Sequence, residues 1–282
     1  MNLALLGYPL SHSLSPAMHN AALDAVGLKD WCYQAMPVEV ERLAEAIATI
    51  RNGDYAGANV TVPHKETVIP LLDGLTPVAE AIGAVNTIIK KNGELIGHNT
   101  DAAGLLADLH THHVRFAHRP VLILGAGGAA RAAVAACAGA NAGAQIRVIA
   151  RRREAARSLA STRSVQPPAQ LSILDWTPLS FLEASDDCAL VLNTTPLGMW
   201  PHSEASPWLD GTPFPPDAFV YDLIYNPPET LLVRQARSAG LRATTGLGML
   251  VEQGALAFEL WTGKAPPRTV MWQAAEKILN GG

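Results

Sequence analysis

One short segment constrains the fold more than any other: an apolar run that is followed at once by closely spaced glycines. The run is Val121–Leu124, and the residues after it are Gly125, Ala126, Gly127, Gly128, Ala129 and Ala130. In this pattern the first glycine permits a tight turn, Gly127 lets a pyrophosphate approach bare backbone, and Ala130 keeps the next helix close to the sheet. Because a helix N-terminus also favours anions, the segment predicts a strand, a turn and a helix that bind a dinucleotide.

The elements that follow alternate between strand and helix. We predict helices at 129–138 and 154–160, and strands at 146–150, 189–192, 218–223 and 241–243. This rhythm indicates a parallel sheet, so residues 102–245 are predicted to form a Rossmann-like domain. Serine- and proline-rich loops are expected at 162–170 and 201–216.

The first hundred residues also mix the two periodicities. The predicted strands are 3–6, 31–36, 58–62, 84–90 and 94–97, the predicted helices are 15–26, 39–50, 78–82 and 100–109, and helices at 250–262 and 270–279 close the chain. We therefore predict an α/β protein of two domains with a cleft between them. In this prediction residues 1–101 plus 246–282 form the substrate domain, and the Rossmann-like domain binds the nucleotide.

Composition limits the classes of partner. The 282 residues carry a formal net charge of −4, with 49% hydrophobic and 16% charged residues, which favours a large core and gives no basis for a nucleic-acid or membrane-surface partner. Cys32, Cys137 and Cys188 are scattered, so neither a disulfide framework nor a metal site is expected. The N-terminus resembles a strand rather than a signal peptide, and no apolar stretch reaches the roughly 18 residues of a membrane span. We expect a cytoplasmic protein, either a monomer or a homodimer.

The strand at 146–150 ends in a run of arginines, which discriminates between cofactors. NAD-binding sites usually carry an acidic residue here, which accepts a hydrogen bond from the ribose 2′-hydroxyl. In this chain Arg151, Arg152 and Arg153 precede the first acid, Glu154. Paired guanidinium hydrogen bonds suit a 2′-phosphate, so NADP is favoured, and a solvated basic loop is the alternative.

Polar residues gather in four loop segments of the first hundred residues, and two of these segments contain serines or a lysine. Ser13 and Ser15 precede a helix, where they could bind a carboxylate or a hydroxylated ligand, although capping by Ser15 at the N-cap position is an equal alternative. Thr61 and Lys65 follow a strand. A lysine fixed beside a cleft can donate a proton or stabilise an alkoxide, whereas a solvated lysine is the common alternative.

The other two segments contain Asn86 and Asp101. The Asn86 amide is both a donor and an acceptor, which suits a ligand hydroxyl, and a turn asparagine is the alternative. Asp101 precedes a helix that it or Thr100 could cap, and its carboxylate could also pair with Lys65. His64 is expected to be structural.

Taken in order, these segments resemble the shikimate dehydrogenase family over nearly the whole chain. The resemblance rests on Ser-x-Ser-Pro at 13–16, Asn-Val-Thr-x-Pro-x-Lys at 59–65, Gly-Ala-x-Asn-Thr at 83–87 and Asn-Thr-Asp at 99–101, and then on the glycine turn. It continues through 193–199, 221–227 and 246–253.

The resemblance implies a reversible, NADPH-dependent reduction of 3-dehydroshikimate to shikimate in aromatic amino acid biosynthesis, with Lys65 and Asp101 as the catalytic pair. It implies that the substrate is held by Ser13, Ser15, Thr61, Asn86, Asp101, Tyr225 and Gln253. It further implies that NADP is held by Gly125, Ala126, Gly127, Gly128, Ala129, Arg151, Arg152, Leu223 and Gly246.

One position departs from the family's pattern, and three other functions stay open. The family usually has asparagine before the first arginine, but here Ala150 precedes Arg151, so a ribose contact is lost while the arginines remain. The alternatives are a dual quinate/shikimate dehydrogenase, a methylene-tetrahydrofolate dehydrogenase and a non-catalytic NADP-binding regulator. The folate enzyme would lack the paired serines, and a regulator would be expected to lose Lys65 or Asp101.

Overall fold

The computed structural model describes residues 1–140, 143–160 and 170–281. The chain divides into two compact units, one formed by Met1–Gly104 with Val251–Gly282 and the other by Leu105–Leu250. Each unit is built on its own six-stranded sheet, so the predicted α/β class is confirmed.

The first sheet is mixed. Its strands are β1 (Asn2–Gly7), β2 (Cys32–Pro37), β3 (Tyr55–Val60), β4 (Gly74–Leu75), β5 (Thr87–Lys91) and β6 (Glu94–His98), in the order β2-β1-β3-β5-β6-β4. Strand β1 runs parallel to β2 and β3, whereas β5 is antiparallel to both β3 and β6. The end of β1, the end of β3, the start of β5 and the end of β6 therefore share one edge of the sheet.

Three helices accompany this sheet before the chain leaves the first unit: α1 (Ser15–Ala25), α2 (Leu43–Asn52) and α3 (Pro77–Ile82). The prediction of Ser15 as the N-cap of α1 is wrong, because Leu14 occupies the cap and the Ser13 hydroxyl accepts a hydrogen bond from the Ser15 N–H at 3.3 Å. The helix predicted from residue 39 starts with a separate 3₁₀ turn, Val40–Arg42. The strand predicted from residue 84 begins at Thr87, because the Val85 N–H is bonded to the Lys65 carbonyl rather than to a neighbouring strand.

The second sheet is entirely parallel. Its strands are β7 (Val121–Leu124), β8 (Gln145–Ala150), β9 (Gln170–Asp175), β10 (Leu190–Asn193), β11 (Phe219–Asp222) and β12 (Arg242–Thr245), in the order β12-β11-β10-β7-β8-β9. Counted from β7, this is the strand order of a dinucleotide-binding Rossmann fold, with its switch point between β7 and β10. All residues of β7, β10 and β11 are buried, as expected for strands that are covered on both faces.

The remaining helices are α4 (Asp101–Thr111), α5 (Gly128–Ala140), α6 (Arg153–Ala160), α7 (Pro178–Ser185), α8 (Leu231–Ser238), α9 (Leu247–Thr262) and α10 (Arg268–Gly281). Helices α7 and α8 and strands β4 and β9 were not predicted from the sequence. Both of these helices begin after an N-cap threonine, because Thr177 and Thr230 accept hydrogen bonds from the N–H groups of Ser180 and Val233. Such a threonine is a helix-start signal that the sequence contains. Except for Gln170, the predicted loop at 162–170 lies outside the described residues.

The proline-rich loop at 201–216 has a structural role in the second core. Residues 194–218 connect β10 to β11 without a helix or strand of their own. Trp208 is only 4% exposed, stacks on Phe214 with ring centroids 4.4 Å apart and meets Phe181 edge to face. Its indole N–H donates to the Thr212 carbonyl, which satisfies its polar atom. The loop therefore covers apolar surface that a crossover helix usually covers in a parallel sheet.

Candidate active site

The four polar segments of the first unit leave the sheet at the same edge. Ser13 and Ser15 follow β1, Thr61 and Lys65 follow β3, Asn86 precedes β5, and Asp101 follows β6. The register places Leu6 beside Val60, Asn59 opposite Thr87, and Thr87 opposite His98. Segments that are far apart in sequence are thus brought together by the mixed strand directions.

Lys65 and Asp101 form an ion pair at this edge. The distance between Lys65 Nζ and Asp101 Oδ2 is 2.6 Å, and the two side chains are 16% and 6% exposed. Each member is also fixed through its backbone, since the Lys65 carbonyl accepts from the Val85 N–H and the Asp101 N–H donates to Asn99 Oδ1. A partly buried ammonium held in this way is a rigid proton donor.

Asn86 lies at the centre of a buried hydrogen-bond network. Its Nδ2 donates to Asp101 Oδ1 at 2.8 Å and lies 3.2 Å from Gln253 Oε1, while its Oδ1 accepts from the Thr100 N–H at 2.8 Å. Asn59 supports the network by donating to the Asn86 carbonyl at 3.0 Å. The Asp101 carboxylate is therefore oriented from both oxygens, by Asn86 on one side and by Lys65 on the other.

The other predicted ligand-binding side chains of the first unit have hydroxyl groups. Among the described residues, the hydroxyls of Ser15 and Thr61 have no hydrogen-bond partner, and the Ser13 hydroxyl is used only as an acceptor. All three can therefore still donate to a ligand. His64 is fully buried and its Nε2 lies 2.7 Å from the Val38 carbonyl, so it anchors the segment that carries Thr61 and Lys65.

The predicted cofactor residues lie at one edge of the second sheet, because each follows a parallel strand directly. Gly125 follows β7, Arg151 follows β8, Leu223 follows β11 and Gly246 follows β12. The carboxyl edge of a parallel sheet, at its switch point, is where dinucleotides bind in this fold.

The glycine turn is tightly packed at Gly125 and open at Gly127. Gly125 has a φ of +114°, and a Cβ on it would lie 2.6 Å from Thr194 Oγ1. A Cβ on Gly127 would meet nothing within 4 Å, so its backbone faces open space at the start of α5. A side chain is thus excluded at Gly125, and an anion can approach at Gly127.

The arginines after β8 separate into two kinds. Arg153 pairs with Asp175 at 3.3 Å. Arg151 and Arg152 are exposed, and in the part of the chain that the structure describes neither guanidinium has an ion-pair or hydrogen-bond partner. These two side chains are therefore free to bind a 2′-phosphate, and the residues present fit NADP.

Leu223 and Gly246 pack directly against each other. A Cβ on Gly246 would lie 2.3 Å from the Leu223 carbonyl oxygen, and the Gly246 N–H donates to the Ile224 carbonyl at 2.9 Å. Tyr225, the remaining predicted substrate residue, is half-buried on the same segment of the second unit.

Asn193 and Asp222, the last residues of β10 and β11, were not among the predicted site residues. Both are fully buried, and Asn193 Nδ2 donates to Asp222 Oδ1 at 2.8 Å. Burial raises the pKa of Asp222 to about 6, and the described residues give it no cationic partner. Their signal was present, because polar residues end two otherwise apolar strands within segments that the family resemblance already contained.

Among the described residues, no helix is long and apolar enough to cross a membrane. The family model of the shikimate dehydrogenase substrate-binding domain matches residues 5–88, and that of the shikimate 5′-dehydrogenase C-terminal domain matches residues 246–276. The shikimate dehydrogenase (NADP(+)) of Symbiobacterium thermophilum is 45% identical over 280 residues, which are 99% of this chain and 95% of that protein.

Two solved structures are similar over almost the entire chain. The shikimate 5-dehydrogenase of Thermus thermophilus, in complex with NADP(H) and shikimate, is 38% identical with a TM-score of 0.87 over 99% of this chain and 100% of that one. The ligand-free 5-ketofructose reductase of a Gluconobacter species is 33% identical with a TM-score of 0.83 over 99% and 98%. With its glycine turn, its paired lysine and aspartate and these similarities, the chain belongs to the shikimate dehydrogenase family.

Proposed function

We propose that this protein catalyses the reversible, NADPH-dependent reduction of 3-dehydroshikimate to shikimate. The observation that carries the proposal is the 2.6 Å pair of Lys65 and Asp101 at an edge lined with free hydroxyl donors. The similar proteins from Symbiobacterium and Thermus, named for this activity, support it. In this proposal the first unit holds the substrate and the second holds NADP.

The chemistry divides between the cofactor and the chain. NADPH, when bound, supplies the hydride to the carbonyl carbon. The carbonyl oxygen then gains negative charge, and the Lys65 ammonium stabilises that charge and donates a proton to the oxygen. Asp101 keeps Lys65 in place and accepts a hydrogen bond from a substrate hydroxyl. In the reverse direction, neutral Lys65 takes the hydroxyl proton back.

The substrate carboxylate would be bound by the serines after β1. Ser13 and Ser15 lie at the start of α1, where free hydroxyls and the positive end of the helix dipole favour an anion. Thr61, Asn86 and Gln253 would contact the ring hydroxyls. Asn86 would also keep Asp101 oriented, because its Nδ2 already donates to that carboxylate.

The cofactor residues would divide their tasks along the edge of the second sheet. The backbone of the glycine turn, Gly125 to Ala129, would bind the pyrophosphate. Arg151 and Arg152 would bind the 2′-phosphate. Leu223 and Gly246 would also contact the cofactor.

A direct test compares NADP reduction with shikimate and with quinate at saturating NADP. Quinate carries one extra hydroxyl at the carbon that bears the carboxylate. An unpaired buried hydroxyl costs about 1–3 kcal/mol, so shikimate should be favoured in kcat/KM by about 5- to 150-fold. Comparable efficiency would assign the protein to the dual quinate/shikimate class. Absence of turnover with both substrates, while NADP still binds, would favour the regulator.

A second candidate substrate class is a keto sugar, because the similar Gluconobacter protein is named a 5-ketofructose reductase. Ser13 and Ser15 could bind the hydroxyls of a sugar as well as a carboxylate, so substrate turnover has to distinguish the two classes. Assaying NADPH oxidation with 5-ketofructose beside 3-dehydroshikimate separates the two. Faster turnover of the sugar would overturn the proposed substrate.

We also propose a cytoplasmic location and a monomer or homodimer. Cys32, Cys137 and Cys188 are free thiols, which suits a reducing compartment. Size-exclusion chromatography with light scattering would give the oligomeric state, and a tetramer would contradict the proposal.

A further inference from the structure

Asp222 is a buried carboxylate that the proposed reaction does not use. It ends β11, it is fully buried, and its two oxygens accept three hydrogen bonds. Asn193 Nδ2 and the Ile224 N–H donate to Oδ1 at 2.8 and 3.1 Å, and the Thr230 hydroxyl donates to Oδ2 at 2.7 Å. Burying a carboxylate without a cation is unfavourable unless donors surround it, and here they do.

Each of these three hydrogen bonds begins one arm of a network around Asp222. The arm through Asn193 leads to the glycine turn. Asn193 Oδ1 accepts from both the N–H and the hydroxyl of Thr195, at 2.9 and 2.7 Å. The neighbouring Thr194 donates to the Leu124 carbonyl through its N–H and through its hydroxyl, and its Oγ1 occupies the space that a Cβ on Gly125 would need. The orientation of Asn193, which Asp222 fixes, therefore shapes the segment that packs against the turn.

A second arm leads to Leu223 and Gly246. Asp222 Oδ1 holds the Ile224 N–H, while the Ile224 carbonyl accepts from the Gly246 N–H at 2.9 Å. The Leu223 N–H donates to the Asn193 carbonyl at 3.0 Å. The two residues that follow β11 are thus bonded to Asn193 and Asp222 on one side and to Gly246 on the other.

The third arm, through Thr230, leads to the start of α8. Thr230 is the N-cap of α8, and its Oγ1 accepts from the Val233 N–H at 3.3 Å. This arm fixes a helix start and reaches none of the residues predicted to hold NADP.

We propose that Asp222 is a positioning residue for the cofactor: through Asn193 and the Ile224 N–H, it fixes the glycine turn, Leu223 and Gly246 in one arrangement that binds NADP. The inference rests on the proposed function, because it requires NADP at this edge. Both NADP binding and turnover are measured, so that a failure of this inference can be told apart from a failure of the proposed function.

The test compares Asp222→Ala, which removes all three arms, with Thr230→Val, which removes only the arm to α8. NADP affinity is measured by titration of the intrinsic tryptophan fluorescence, and stability by thermal unfolding of the same samples. Both variants should unfold at a lower temperature than the wild type. Only Asp222→Ala should weaken NADP binding, by at least about tenfold, because it loses hydrogen bonds to a charged group. Its KM for NADP should rise in step, while kcat at saturating NADP falls less.

Two further variants keep the test decisive if Asp222→Ala does not fold. Asn193→Ala removes the arm to the glycine turn and should also raise the NADP Kd. Asp222→Asn should be intermediate, because an amide oxygen can still accept from Ile224 while Thr230 turns to accept from the amide. An NADP Kd within about twofold of wild type for both alanine variants would overturn the inference. An equal loss of affinity in Thr230→Val would also overturn it, because affinity would then simply follow stability. A wild type that binds NADP but oxidises no shikimate would instead contradict the proposed function.

Discussion

Lys65 lies in the loop after β3 and Asp101 is the first residue of α4, yet Lys65 Nζ and Asp101 Oδ2 are 2.6 Å apart. The chain leaves this edge along β5 and comes back to it along the antiparallel β6, which brings Asp101 beside the segment that follows β3. The pair is largely shielded from water, and its hydrogen bond holds the Lys65 ammonium group in a fixed position. Such a group accelerates a reaction that develops negative charge beside it.

Removing the lysine should therefore abolish most of the turnover. We expect Lys65→Ala to lower kcat by about 10²–10⁴-fold, the usual range for the loss of a general acid or base. The NADP Kd should stay close to wild type, because Lys65 and the predicted NADP residues belong to different units. Lys91→Ala, an exposed lysine on the β5–β6 hairpin, is the matched control and should leave kcat unchanged. A kcat loss of less than about tenfold in a folded Lys65→Ala protein would make Lys65 dispensable.

The choice of cofactor should depend on the two unpaired arginines. Each charge-assisted hydrogen bond contributes about 1.5–3 kcal/mol, so wild type should prefer NADP over NAD by very roughly 10²-fold or more in kcat/KM. Arg151→Asp should abolish or invert this preference. Arg153→Ala should change it little, since Arg153 is already paired with Asp175. An equal kcat/KM of the wild type with NAD and with NADP would show that these arginines do not bind the 2′-phosphate.

The serines after β1 should contribute to substrate binding rather than to the chemical step. Ser13→Ala and Ser15→Ala should each raise the KM for shikimate more than they lower kcat, because a carboxylate is bound alike in the ground and transition states. Ser11→Ala, an exposed serine of the same loop, is the control. If kcat fell while KM held, the serines would act on the reacting centre instead.

Buried His19 should make the first unit sensitive to acid. It is fully buried, it stacks on Tyr33 at 4.3 Å, and burial lowers its pKa from 6.5 to about 3. Between these two values the unfolded chain binds a proton that the folded chain does not. The contribution of His19 to stability is therefore complete above pH 6.5 and is lost as the pH falls towards 3, at about 1.4 kcal/mol per pH unit.

The effect of His19 is measured as the difference in the pH dependence of stability between wild type and His19→Phe. Asp222 has the opposite effect, because burial raises the pKa of this acid to about 6 and favours its protonated form in the folded state. Urea unfolding is measured for both proteins from pH 7 to pH 4, and taking the difference cancels the contribution of Asp222, which they share. The variant should lose less stability on acidification. Identical pH slopes for the two proteins would show that His19 does not contribute.

The sequence alone determined the fold class and most of the candidate site. Gly125 and Gly127 lie between a predicted strand and a predicted helix, and this context, rather than the glycines alone, predicts a nucleotide-binding turn. The parallel sheet followed from the alternation of strands and helices, and it is confirmed. Lys65, Asn86 and Asp101 were each ambiguous alone, and only their order pointed to a family.

The tertiary structure decided what depends on distant partners. The sequence could not show that Ser13, rather than Ser15, accepts the first N–H of α1, or that Asn86 orients Asp101, because both results depend on exact loop geometry. The polar ends of β10 and β11 are visible in the sequence, but only the strand order shows that Asn193 and Asp222 lie side by side and are hydrogen-bonded. Local periodicity is set by a residue's neighbours in the chain, whereas a hydrogen-bond network is set by whichever segments the strand order brings to one edge.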